Sequence, residues 1–214
     1  MKTDDLIGLL AADDTPVPRH AGERRLALAL ASGTVLTLAW IATAYGLRAD
    51  LPQLVLTGGF WAKLAVPLAV AALAARVVHR MAHPGVRIGG ASAWMLVLPV
   101  LLLWLWALVV WLGADAAARP ALLWGQTWRT CVFSITIAAV PAGIAAFWAL
   151  RGLAPTRPAL TGAATGWMAG GVGAAVYALH CPETAAPFLA VWYVLGMLVP
   201  AGLGALAGAR GLRW

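Results

Sequence analysis

The stretch 91-ASAWMLVLPVLLLWLWALVVWLG-113 holds 23 residues without a single charge. As an α-helix it is about 35 Å long, enough to cross a hydrocarbon core of about 30 Å. Five further stretches read the same way: Leu26–Gly46, Gly59–Val78, Trp128–Leu150, Leu160–His180 and Pro187–Gly208. The whole chain is 62% hydrophobic and only 11% charged, with a mean hydropathy of +0.84. A soluble domain carries about a quarter charged residues, so this chain has too little polar surface to face water. The expected fold is all-α, a polytopic membrane protein built as a bundle of six transmembrane helices with short loops.

The flanking charges set the orientation. With a cytoplasmic N-terminus, eleven Lys and Arg fall on the inner side and four on the outer, the latter being Arg48, Lys63, Arg119 and Arg129. The positive-inside rule places both termini in the cytoplasm. The net charge of +7 then reflects topology and lipid attraction, and no direct nucleic-acid binding is expected. The first span follows a polar segment of 25 residues and lacks a small-x-small cleavage site, so it reads as a retained helix rather than a signal peptide. Many Trp, including Trp61, Trp94, Trp111, Trp128, Trp148 and Trp214, sit near span ends, as interfacial residues do. Trp104 and Trp106 lie mid-span. Three segments result: 1–25 as a cytoplasmic arm and linker, 26–208 as the transmembrane domain, and 209–214 as a cytoplasmic tail.

Within the fifth span Gly162, Gly166, Gly170 and Ala174 recur every four residues, leaving one stripe with almost no side chains. Gly196, Pro200, Gly204 and Gly208 mark a similar face on the sixth. Such stripes let helix backbones approach closely, either within one chain or across a dimer seam. Pro67, Pro99, Pro141 and Pro200 fall inside spans and each removes a backbone donor. No internal repeat is visible.

The chain begins MKTDDLIGLLAADD, and half of its acidic residues (Asp4, Asp5, Asp13 and Asp14) lie in these fourteen positions. Asp4 and Asp5 suit a first helical turn, where the positive end of the macrodipole favours them. Leu6, Ile7, Leu9 and Leu10 then form an apolar face, and the following TPVPRHAGERR reads as a linker. A frayed terminus and a membrane-surface anchor are two readings of this segment. A third is a short helix that docks in a groove of a cytoplasmic partner carrying positive surface, with leucines as anchors and aspartates meeting a basic rim.

The opening MKTDDLI followed by LL, the prolines before a basic pair, the six spans, and a Cys at the outer end of the fourth and fifth spans resemble the NrsF-type negative regulators of sigma factor F. These are membrane-bound anti-sigma factors of the bacterial inner membrane. The resemblance covers essentially the whole chain. It implies that the N-terminal motif, here Asp4, Asp5, Leu6, Ile7, Leu9 and Leu10, sequesters an extracytoplasmic-function sigma factor at the membrane and releases it on stress.

Cys131 and Cys181 are the only cysteines. Counted from the connecting turn, they lie 19 and 21 residues along their helices, or about 29 and 32 Å, so both thiols belong at similar depth on the outer side. One reading is a small apolar filler and an incidental loop residue. The other is a thiol pair that senses oxidants or soft metal ions, which thiolates prefer. His180 and Glu183 beside Cys181 offer further ligands, so a metal site of Cys131, Cys181 and His180 is one form this reading takes. Neither Cys lies in a CxxC pattern, which argues against structural zinc.

An enzyme is not expected. The chain shows no HExxH, nucleophile elbow, phosphate-binding loop or paired carboxylates, and no cofactor is predicted. His79 and His83 at i,i+4 read as a surface pair in a cationic loop rather than a metal site. The alternative function is a small-solute or ion transporter or channel of the inner membrane. Against it, no Asp or Glu falls inside any span, although ion-coupled carriers commonly use such residues. Lys63 and Arg129 lie near span ends, where long side chains snorkel to the headgroups.

Overall fold

The computed structural model describes residues 3–12, 21–82, 89–153 and 155–212. Most of the described residues are helical and none forms a strand. In chain order the helices are α1 (Thr3–Ala12), α2 (Ala21–Ala44), α3 (Leu51–Leu54), α4 (Gly58–Met81), α5 (Gly90–Gly113), α6 (Arg119–Trp124), α7 (Trp128–Leu150) and α8 (Pro158–Tyr177). A short α9 (Ala186–Phe188) then runs through a π-helical turn (Leu189–Tyr193) into α10 (Val194–Gly211). Among the described residues five helices are long and apolar enough to cross a membrane. The twenty-residue α8, whose glycines and threonines lower its hydropathy, occupies the position of the remaining expected span. The architecture is that of a polytopic, all-α membrane protein.

The bundle is built around α8, and fifteen of its twenty residues are buried. Its glycines seat neighbours on three sides. A Cβ placed on Gly162 or Gly166 would fall on the backbone carbonyls of Gly204 or Pro200 in α10, and one on Gly170 would lie 2.9 Å from the Met197 Cα. On another face a Cβ at Gly171 would meet Pro67 O and Ala71 N of α4 at 2.8 Å. At Gly173 it would come within 2.7 Å of Ala139 N in α7. The stripe of α8 therefore faces Pro200, Gly204 and Gly208 of the sixth span within one chain, while Gly196 meets Ile135 of α7, and the intramolecular reading of those stripes holds. Lipid tails are as apolar as leucine, so close van der Waals packing rather than hydrophobic burial holds such helices together.

Three buried threonine hydroxyls are bonded to backbone carbonyls, whereas the buried Tyr193 hydroxyl has no hydrogen-bond partner among the described residues. Thr165 Oγ1 donates to Thr161 O at 2.7 Å and Thr161 Oγ1 to Arg157 O at 3.0 Å. Thr37 of α2 donates to Gly33 O at 2.8 Å and across the interface to Ala138 O of α7 at 3.1 Å. Gly33 lies directly against Ala142 of α7, so α2 and α7 also meet backbone to backbone.

Helix α5 is peripheral and presents Trp94, Leu98, Leu102, Leu105, Val109 and Leu112 outward, as its unbroken hydropathy requires. Two indole bridges tie it to the bundle, Trp167 Nε1 to Leu96 O at 3.2 Å and Trp104 Nε1 to Ala190 O at 2.9 Å. The first of the long helices begins at Ala21 rather than Leu26. Its opening turn is held by tertiary contacts: Arg25 donates to Trp148 O at 3.1 Å and covers the Trp148 ring at 4.9 Å, while Glu23 meets His79 at 3.1 Å. Helices α3 and α6 lie in segments read from the sequence as connections. Each begins with a proline in its first turn, where the missing N–H costs nothing.

The α8–α10 contact yields a direct test. Gly166→Ala should destabilise the protein by about 1–3 kcal/mol, the range for overpacking, and lower the thermal unfolding midpoint. Gly202→Ala, on the open side of α10 where a Cβ meets nothing within 4 Å, should be neutral or slightly stabilising.

Candidate functional site: a buried thiol end and an exposed acidic arm

The two cysteines reach one end of the bundle from different elements. Cys131 sits in the first turn of α7, and Cys181 follows α8 in the segment leading to α9. Both are free thiols and both are fully buried. Thr127 links them: its carbonyl accepts from the Cys131 N–H at 3.0 Å, and its Oγ1 lies 3.8 Å from Cys181 Sγ.

Two cations converge on the Cys181 backbone. Lys63 Nζ donates to Cys181 O at 2.6 Å and Arg48 Nη1 to the same oxygen at 3.2 Å. Lys63 is only 3% exposed and lies 5.6 Å from the centre of the Tyr193 ring. It does not snorkel as the sequence reading expected, because the Cys181 carbonyl and the ring face receive its ammonium inside the bundle. A cation five residues into a span is costly and functional by default, which was the available signal for it. Arg48 is steadied by a bidentate pair with Asp50 at 2.6 and 2.8 Å. The hydrogen bond from Arg48 holds the Asp50 carboxyl below the usual carboxylate range. The pair is therefore intact above the ordinary carboxylate pKa and is lost only as the pH falls through the depressed value.

His180 turns away from a ligand role in this arrangement. Its Nδ1 donates to Gly46 O at 3.0 Å, and its ring packs edge-on against Tyr45 with centroids 5.2 Å apart. Glu183 instead accepts from the backbone N–H groups of Gln126 at 2.6 Å and Thr127 at 3.2 Å. It thus caps the start of α7, where the helix macrodipole favours a carboxylate. Gly125, at φ +52°, is required here, since a Cβ would meet the Glu183 carboxyl at 2.7 Å. Among the described residues no three His, Cys, Asp or Glu side chains are gathered as metal ligands would be.

The other end of the bundle carries the N-terminal arm. Helix α1 spans the expected motif with Asp4 and Asp5 in its first turn. Asp4, Asp5 and Ile7 are exposed. Leu6, Leu9 and Leu10 fall on the same helix, and their side chains lie outside the described residues, as do Asp13, Asp14 and His83. His79 contacts Glu23 of α2, so that histidine serves the bundle.

Removing the Glu183 cap tests this account of the thiol end. Glu183→Ala should weaken the start of α7 by about 1–2 kcal/mol and speed maleimide labelling of the two thiols about 5–30-fold. Labelling is read directly, because the chain has no other cysteine.

The comparisons with known proteins bear on the whole chain. A family model described as negative regulator of sigma F matches residues 10–214. The chain is 41% identical to a protein of Azospira oryzae described as a probable anti-sigma-F factor NrsF, over the full length of both. It is 39% identical to the anti-sigma-F factor NrsF of Caulobacter vibrioides, again over the full length of both. No solved structure matches. The family is one of regulators rather than enzymes, and this chain, with its apolar helical bundle and acidic N-terminal helix, belongs to the NrsF family of negative regulators of sigma F.

Proposed function

We propose that the chain is an anti-sigma factor of the bacterial inner membrane, holding an extracytoplasmic-function sigma factor inactive at the cytoplasmic face. The observation that carries this reading is full-length similarity to proteins named anti-sigma-F factors. The contact is assigned to Asp4, Asp5, Leu6, Ile7, Leu9 and Leu10. A sigma factor binds DNA and polymerase through basic and apolar surfaces, and an amphipathic helix with acidic edges complements both. The exposure of Asp4, Asp5 and Ile7 on α1 supports that role. Both termini are assigned to the cytoplasm on the excess of Lys and Arg there.

Release follows a change at Cys131 and Cys181 on the outer side, with an oxidant or a soft metal ion as the signal and His180 as a third ligand. In the present arrangement the thiols are buried and His180 is engaged with Gly46, so binding a metal through all three requires this end to rearrange. Contacts along one helix support a route to the arm. Helix α7 begins near Cys131, bonds α2 through Thr37 and Ala138, and ends near Trp148, which receives Arg25 at the base of the arm.

Two measurements test the proposal. Full-length protein in detergent should capture its sigma factor, and reversing both charges, Asp4→Lys with Asp5→Lys, should weaken capture at least tenfold, since like-charge juxtaposition costs several kcal/mol. Unchanged capture would move the contact away from α1. In cells, Cys131→Ser with Cys181→Ser should retain repression and lose induction by a soft metal ion such as Cu(I). Undiminished induction would remove the thiols from sensing and leave the tether standing.

A further inference from the structure

A cleft of about 460 Å³ separates α5 from α8 and α10 in the half of the bundle nearest the N-terminal arm. That volume lies in the range of pockets that enclose a small molecule. The cleft exists because the Trp167 and Trp104 indoles act as struts between α5 and the bundle, while its floor is made of small residues, Ala163, Ala164 and Ala201. Among the described residues no carboxylate lines it.

Its two ends differ in chemistry. One end is bordered by Arg157 and Ser92, and the other closes against Trp104. Arg157 is exposed and has no carboxylate partner among the described residues. From Ser92 to Trp104 is twelve residues along α5, about 18 Å, close to the half-thickness of about 15 Å of a hydrocarbon core. The cleft therefore runs from headgroup level to the middle of the bilayer, with a cation at the headgroup end. An acyl chain matches so apolar a lining over half a bilayer.

We infer that the cleft binds one anionic phospholipid, with an acyl chain against Ala163, Ala164 and Ala201 and the phosphate at Arg157. The lipid fills the space between α5 and the α8–α10 pair and completes packing that the side chains leave open. The assignment follows from the cleft alone and stands apart from sigma-factor binding.

Native mass spectrometry of the full-length protein, released from micelles doped with equal phosphatidylglycerol and phosphatidylcholine, tests it. The wild-type protein should retain one phosphatidylglycerol in preference to phosphatidylcholine. Arg157→Gln should reduce that preference about fivefold, the value of one cation near an anionic leaflet. Ala201→Phe should abolish retention of both lipids by filling the floor. Ala163→Leu provides the same test if the larger substitution impairs folding. Equal retention of the two lipids by the wild type, retention of neither, or phosphatidylglycerol retention unchanged in the variants would overturn the assignment.

Discussion

The contact on which the rest of the molecule depends is backbone against backbone, between Gly162, Gly166 and Gly170 of α8 and Met197, Pro200, Gly204 and Gly208 of α10. Ordinary helix pairs are separated by interdigitating side chains. Here the separation is set by carbonyl oxygens and Cα atoms, which have no rotamers with which to yield. In hydrocarbon this close approach replaces the hydrophobic driving force that a soluble core would use. Because Gly171 and Gly173 seat α4 and α7 in the same way, α8 places three neighbours around one axis. The ends of those helices are thereby brought together, and the thiol end forms where they meet.

At that end polar groups are distributed with economy. Glu183 satisfies N–H groups before α7, while Lys63 and Arg48 share the Cys181 carbonyl. The two thiols lie inside this network without being part of a disulfide. Cys131 lies in the first turn of α7, whose remaining length is coupled to α2 by Thr37 and by the Gly33–Ala142 contact. The N-terminal arm leaves the bundle from α2, so the sensing and tethering roles proposed above act on two ends of one packed pair.

The periphery follows a different rule. Helix α5 is the most apolar span and the one attached by indole bridges rather than by glycine contacts, which leaves room for a lipid chain beside it. Tight packing at α8 and loose packing at α5 thus coexist in one small bundle. The difference traces to residue size: glycine on α8 admits a neighbouring backbone, whereas leucine and tryptophan on α5 keep it away.

Much of this was legible in the sequence. Apolar runs and their lengths are local properties, so the long helices lie close to where hydropathy places them, and the glycine stripes are visible as a four-residue period. The acidic arm and the two cysteines also stand out by composition alone. What the sequence could not contain is which surfaces meet. The same glycine stripes suit a dimer seam, and only the tertiary structure pairs them within one chain. The start of α2 at Ala21 depends on Trp148 and His79, each far away in the chain. Lys63 looks like a snorkelling residue until Cys181, 118 positions away, supplies the carbonyl that buries it, and Glu183 looks like a ligand until Gln126 and Thr127 claim its carboxylate. Spans are decided by local free energies of transfer, whereas the partners of a buried polar group are decided by contacts between distant segments.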